Sequence, residues 1–232
     1  MIKVKCLASG STGNSYAVDD GVSVLILEAG IPAKKITQGY ANLLSRTAGC
    51  LITHEHQDHA MGAGKLAALG IDLFASEGTF LRLSDAISHP YRRNTIRAGE
   101  QFTLGSWIIL PFETKHDALE PLGFLLYSNV AREKLLFATD TFYIPNTFTG
   151  LNLIMVECNY SFPILSANIA KGTVPESTKP RLLSSHFGLK NVRDFLSAND
   201  LSAVRKIYLI HISERNGSKE LFKKEIQRLT GI

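Results

Sequence analysis

Between Thr53 and Gly62 the chain reads Thr-His-Glu-His-Gln-Asp-His-Ala-Met-Gly, which places three imidazoles and the Asp58 carboxylate within six residues. Groups of this kind are costly to bury unless they are paired or bound to a metal, and packing alone gives no reason to gather them. The run follows an apolar stretch, Cys50 to Thr53, and precedes helical spacing at Met61 to Leu69. Strand ends are where α/β folds assemble their sites, so the cluster predicts a metal-binding loop at the end of a strand. On a tight loop, His54 and His56 can turn toward one ion while Asp58 and His59 face a second. Two ions about 3.5 to 4 Å apart can clamp a phosphate between them.

The rest of the chain supplies the strands such a loop needs. Runs rich in Val, Ile and Leu, ended by Gly or Asp-Asp-Gly, predict strands at Ile2 to Leu7, Ser15 to Val18, Val22 to Leu27 and Gly49 to Thr53. A second group is predicted at Gln101 to Leu104, Trp107 to Leu110, Gly123 to Tyr127, Lys134 to Ala138 and Leu153 to Val156, with a last strand at Lys206 to Ile210. Helical spacing recurs around Phe80, Leu83 and Ile87, at Asn191 to Ala198 and at Ser218 to Thr230, where Ser218 can cap the helix. Pro163, Pro175 and Pro180 mark Ser161 to Arg181 as a loop or lid with at most a short helix. Two strand-rich halves, each with helices and no linker between them, fit one α/β domain over residues 1–232, a four-layer αββα sandwich.

Three further residues stand where strand ends would bring them to the first cluster. His116 follows the strand Trp107 to Leu110, Asp140 follows Leu135-Leu136-Phe137-Ala138, and His211 follows Ile207-Tyr208-Leu209-Ile210. The run HxHxDH with Gly62, then His116, Asp140 and His211 in that order, resembles the metallo-β-lactamase superfamily over nearly the whole chain. Within it the resemblance is nearest to the YycJ/WalJ-type DNA exonucleases and the ribonuclease Z branch. It is carried by Leu7-Ala8-Ser9-Gly10-Ser11-Thr12-Gly13-Asn14-Ser15, His116-Asp117-Ala118 with Glu120 to Phe124, Ala138-Thr139-Asp140-Thr141 and Leu209-Ile210-His211-Ile212-Ser213.

The resemblance implies two divalent ions, zinc or manganese, one held by His54, His56, His116 and Asp140 and the other by Asp58, His59, Asp140 and His211. It also implies two catalytic residues, Asp58 and His186, the latter, in Ser184-Ser185-His186-Phe187-Gly188, being a histidine outside the metal shells that donates a proton to the leaving oxygen. The activity so implied is a phosphodiesterase, foremost a DNA exonuclease of repair or recombination. Its alternatives are an RNA nuclease, a phosphodiesterase of small substrates such as a cyclic nucleotide, and, further off, an ester, thioester or lactam hydrolase. A binding module with a damaged site is disfavoured because every ligand position carries a competent side chain. The sequence departs from the family pattern at Glu28, where Asp is usual, at Tyr160, where His is common, and around His186, which lacks the Gly-His-Leu-Ser order.

Composition agrees with a globular enzyme whose partner is a polyanion. The hydrophobic fraction of 45% supports a sizeable core, and 25 Lys and Arg against 21 Asp and Glu give a net charge of +4. Lys179, Arg181, Lys190 and Arg193 flank His186 and, with Arg92 and Arg93, are candidates to follow a nucleic-acid backbone, DNA in the first instance. Ser9 to Asn14 has the composition of a phosphate-cradling loop but no Gly-Lys-Ser/Thr, which excludes a nucleotide P-loop. Cys6, Cys50 and Cys158 are odd in number and widely spaced, each in a run that reads as a buried strand, so they are expected as reduced core thiols. The N-terminus lacks the apolar stretch of a signal peptide and no segment is long enough for a bilayer, so a cytoplasmic protein without membrane association is expected.

Overall fold

The computed structural model describes all 232 residues, which divide into two compact units, residues 1–113 with 118–133 and residues 114–117 with 134–232.

The first unit carries a sheet of six strands in chain order: β1 (Lys3–Ala8), β2 (Ser15–Asp19), β3 (Val24–Leu27), β4 (Thr47–Leu51), β5 (Leu73–Ala75) and β6 (Arg93–Thr95). β1, β2 and β3 pair antiparallel, and β3 to β6 pair parallel. Between them run α1 (Ala33–Gly39), α2 (Gln57–Ala60), α3 (Ala63–Ala68) and α4 (Glu77–Arg82). All four residues of β3 are buried, as expected of a parallel strand covered on both faces. Ile26, Ile36, Cys50, Ile52, Ala63 and Leu66 belong to the core that holds the helices to this sheet. An antiparallel meander, β7 (Phe102–Leu104), β8 (Trp107–Glu113) and β9 (Leu122–Ser128), completes the unit.

Parallel strands form the centre of the second unit: β10 (Glu133–Ala138), β11 (Leu153–Glu157) and β12 (Lys206–Ile210), ordered β10-β11-β12. Its helices are α5 (Phe162–Ala170), α6 (Thr178–Ser185), α7 (Leu189–Ala198) and α8 (Lys219–Thr230). Ser218 caps α8 as expected, its hydroxyl accepting from the Leu221 N–H at 3.3 Å. No helix of the chain is long and apolar enough to cross a membrane.

Three expectations need correction. The segment Ser161 to Arg181 is mostly helical, comprising α5 and the start of α6. Pro163 and Pro180 sit in the first turns of those helices, where the N–H they lack has no intrahelical partner in any case. Leu165, Ile169 and Leu182 then pack with Tyr160 and Val174 in a small core of their own. The helix drawn from Met61 begins earlier, as α2, and is interrupted before α3. Cys6 is exposed on β1 and Cys158 lies just past β11, so only Cys50 is a buried strand thiol.

Candidate metal centre

In the first unit the chain leaves β4 at Leu51 and turns through Thr53 into α2, whose four residues already contain Asp58 and His59. His54 and His59 are fully buried and their rings lie 4.2 Å apart between centroids. His54 Nδ1 lies 2.9 Å from Thr53 Oγ1, and its Nε2 lies 3.1 Å from His56 Nδ1. Imidazole nitrogens gathered this closely on one loop have the spacing of a shared ligand set. Glu55 takes no part. Its Oε1 accepts the Leu119 N–H at 2.9 Å and ties down the loop.

Two neighbouring segments fix this loop. Asn14 accepts the Gly10 N–H on Oδ1 at 2.9 Å, donates from Nδ2 to the Asp58 carbonyl at 3.1 Å, and has its backbone N–H on the same carbonyl at 2.8 Å. The Ser9 to Asn14 segment therefore buttresses Asp58 and His59. Gly30 passes so close that a Cβ there would lie 1.6 Å from the Asp58 carbonyl oxygen, a contact only glycine avoids. Glu28, at the family's usual Asp position, is fully buried with φ +68°, and its Oε2 stands 3.5 Å from His59 Nδ1. The longer side chain thus still reaches the histidine. Burial pushes the Glu28 carboxyl above its ordinary pKa, with His59 pulling the other way.

In the second unit all three parallel strands deliver a polar side chain at their carboxyl ends. Asp140 follows β10, Glu157 closes β11 and His211 follows β12. Asp140 and His211 both adopt left-handed backbone, φ +47° and +51°. Asp140 stands between two histidines, with Oδ2 3.4 Å from His116 Nε2 and Oδ1 3.4 Å from His211 Nδ1. His116 Nδ1 lies 2.8 Å from the Ser185 carbonyl and donates to it, which leaves Nε2 as the lone-pair atom. Asp140, Glu157, His186 and His211 each present a ligand atom within 4.8 Å of the others. Of these, Asp140 and His211 offer carboxylate and imidazole donors that suit a divalent ion such as zinc or manganese, while His186 and Glu157 engage each other.

Glu157 is the functional residue to which sequence reasoning assigned no role. Its Oε1 accepts from His186 Nδ1 at 2.7 Å and from His211 Nδ1 at 3.1 Å, while Oε2 accepts the N–H groups of Thr141 at 3.1 Å and Phe187 at 3.0 Å. A carboxyl group in this fully buried position ought to be neutral. Burial does raise its pKa, but the His186 charge and these hydrogen bonds leave it below the ordinary value. His186 shows the converse: burial lowers its pKa, and the Glu157 carboxylate more than reverses this, raising it above the ordinary histidine value. Tyr160, at the usual His position, packs its ring against Gly188, where a Cβ would lie 2.7 Å from the ring, and so backs the His186–Phe187 turn.

The basic residues around His186 are each engaged. Arg181 donates to Asp117 at 2.8 Å, Lys190 to Asp194 at 2.6 Å and Arg193 to Glu225 at 3.4 Å, while Lys179 lies over the Phe162 ring at 5.1 Å. Arg92 donates to Asp72 at 2.9 Å. Their charge is therefore largely matched by neighbouring carboxylates.

Residues 32–212 match the family described as Beta-lactamase superfamily domain. The chain is similar to the "Exodeoxyribonuclease WalJ" of Streptococcus pneumoniae, 30% identical over 233 residues that take in 94% of this chain and 84% of that protein. It is similar also to the "Exodeoxyribonuclease YycJ" of Bacillus anthracis, 31% identical over 236 residues, 96% of this chain and 87% of that one. Among solved structures, the metallo-β-lactamase fold protein YhfI from Bacillus subtilis superposes with a TM-score of 0.71 over 99% of this chain and 93% of that chain, at 12% identity, a likeness of fold.

Proposed function

Because the chain belongs to the β-lactamase superfamily and has its four-layer αββα sandwich fold, we propose that it is a metal-dependent phosphodiesterase that removes nucleotides from DNA, acting as an exonuclease in repair or recombination. That its relatives are named exodeoxyribonucleases supports the substrate class. The observation that carries the reaction type is the His186–Glu157 pair at 2.7 Å. Expelling an alkoxide from a phosphodiester requires a proton, and a histidine held in its protonated form by a buried carboxylate has one to give.

We assign two ions, zinc or manganese, to the residues that the superfamily resemblance implies: His54, His56, His116 and Asp140 for one, and Asp58, His59, Asp140 and His211 for the other. Asp140 suits a shared role because its two oxygens face different histidines. When bound, such ions polarise the phosphate and activate water. Glu157 occupies His186 Nδ1, so Nε2 is the atom that protonates the departing oxygen. The same carboxylate accepts from His211 Nδ1 and leaves that ring's Nε2 for a metal. Lys179, Arg181, Lys190 and Arg193 are assigned to the phosphate backbone, a role in which DNA exchanges with the carboxylates that now hold Arg181, Lys190 and Arg193 and with the Phe162 ring beneath Lys179. The three free thiols accord with a cytoplasmic setting.

End-labelled duplex DNA, single-stranded DNA, RNA and cyclic nucleotides, each with Zn²⁺ and with Mn²⁺, test the proposal. Stepwise shortening of labelled DNA is the expected result. Turnover of RNA, a cyclic nucleotide or a neutral ester in preference to DNA would overturn it.

A further inference from the structure

Beside the second unit's cluster lies a cavity of about 400 Å³ that no step of the proposed chemistry uses. Its floor is Phe187 and Phe195, and its outer wall is Phe142 and Tyr143, which stand 37% and 55% exposed. Ligand pockets are typically concave and lined by aromatic and apolar side chains with a few polar groups, which is the make-up of this one. Its outer wall is not a loose loop. The Phe142 N–H donates to the Lys115 carbonyl at 3.1 Å and its carbonyl accepts from Asn191 Nδ2 at 3.1 Å, so the ring's backbone is held in place before anything binds.

The cavity is joined to the candidate centre by covalent succession. Phe142 is two residues from Asp140, and Phe187 is next to His186. The N–H groups of Thr141 and Phe187 both rest on Glu157 Oε2, so a single carboxylate oxygen pins the cavity's edge to the cluster. Its chemistry is that of a nucleobase site. The one charged lining residue, Asp194, is matched by Lys190 at 2.6 Å, which leaves nothing for a phosphate. Aromatic faces suit a flat π-system, and Asn191 Oδ1 with Asn146 at the rim suit the polar edge of a base, which an acyl chain would leave unanswered. A nucleoside fits a pocket of this size.

We propose that this cavity receives the base of a nucleotide flanking the bond that is cut, stacked on Phe142 and Tyr143. The proposal rests on the phosphodiesterase activity above. Each nucleotide beside the scissile bond of a single-stranded oligonucleotide is replaced in turn by an abasic one, and KM is compared between intact and abasic strands. Wild type is expected to prefer the intact strand by about 5- to 150-fold at one position, the range of one base–aromatic stack. Phe142→Ala should narrow that preference to about twofold, Phe142→Trp should restore it, and Tyr91→Ala, at an exposed aromatic elsewhere, should leave it alone. A preference that survives Phe142→Ala, or no preference at any position in wild type, overturns the proposal. Titration of thymidine or deoxyadenosine into the protein, followed by NMR at Phe142 and Tyr143, separates the two ideas. A wild type that binds the nucleoside there but cuts no DNA keeps the pocket and removes the activity. Active enzyme with no nucleoside response and no abasic effect does the reverse.

Discussion

Glu157→Gln exchanges one carboxylate oxygen for an amide nitrogen without changing shape, and the four hydrogen bonds to Glu157 make its consequence specific. The new NH₂ cannot accept. If it faces Thr141 and Phe187, two backbone N–H groups lose their acceptor, so it should turn toward the histidines and leave the amide oxygen on the backbone. His186 Nδ1 and His211 Nδ1 then face a donor, and each ring must move its proton to Nε2. The lost bonds to a charged acceptor contribute about 1.5 to 3 kcal/mol each, roughly 3 to 6 kcal/mol together. The amide escapes the several kcal/mol that burying a carboxylate costs. Global stability should therefore change by no more than about 2 kcal/mol, a shift of roughly 4 to 8 °C in Tm. Function should suffer more. A proton on His211 Nε2 blocks the atom assigned to the metal, and loss of such an outer partner typically costs about 10- to 100-fold in metal affinity. His186 loses its imidazolium, which at full metal occupancy removes about 10²- to 10⁴-fold from kcat. Chelator competition, imidazole ¹⁵N shifts and turnover of DNA measure the three effects. Metal affinity and kcat both within threefold of wild type, with the Nδ1 protons retained, would refute this account of Glu157.

His186→Ala should keep metal and fold yet slow an unactivated phosphodiester by about 10²- to 10⁴-fold, with a much smaller effect on a nitrophenyl ester whose leaving group needs no proton; equal losses on both substrates would exclude the acid role. Asp140→Ala should lower both metal occupancies from a wild-type content near two ions per chain, and elemental analysis at wild-type content would remove Asp140 from the centre. Joint neutralisation of Lys179, Arg181, Lys190 and Arg193 should flatten the salt dependence of DNA binding with metal content unchanged, and an unaltered slope returns them to the solvated surface. In metal-free protein the Glu157–His186 pair should stabilise the fold in a bounded pH window. Its His186 part, with the pKa raised from 6.5, is full below 6.5 and is lost as pH rises through the folded value. Its Glu157 part, with the pKa lowered from 4.5, is full above 4.5 and is lost as pH falls through the folded value. The stability difference between wild type and Glu157→Gln should therefore peak between those limits, and a difference that is flat with pH would contradict the pairing.

What could be read from the chain depended on how locally each feature is encoded. The histidine run is contiguous, and Asp140 and His211 follow unbroken apolar strands, so both signals survive without any knowledge of tertiary contacts. Glu157 carries the same signal, a lone acid after Leu153-Ile154-Met155-Val156. The rule that located its two neighbours would have found it. β5 and β6 have three residues each, too few for a periodicity, and α1 is held by Ile36 and Ala33 in the core rather than by caps. The ion pairs of the basic cluster are illegible for the opposite reason: the carboxylates that answer Arg181 and Arg193 lie 64 and 32 residues away in sequence. Prolines 163 and 180 were read as breakers because their position within a helix, not their presence, decides their effect.

The least legible feature is the one that shapes the centre. Asp140, His211 and Glu28 are all non-glycine residues with left-handed backbone, a conformation that costs about 1 to 3 kcal/mol where the surroundings enforce it. Each comes immediately or two residues after a parallel strand, at the point where the chain must turn off the sheet edge. Asp and His tolerate this region better than most residues, which makes them suitable both as ligands and as turn formers. The strain persists because the strands beneath are rigid: Leu135 to Ala138 and Leu153 to Val156 are wholly buried, and slipping either by one residue would turn its core side chains to the other face. Glu157 then holds the turns from above, accepting the N–H of the residue after Asp140 and the ring N–H of His211. A glycine at 140 or 211 would relieve the backbone but remove the side chain that the proposed centre needs, so the two requirements meet at the same residue.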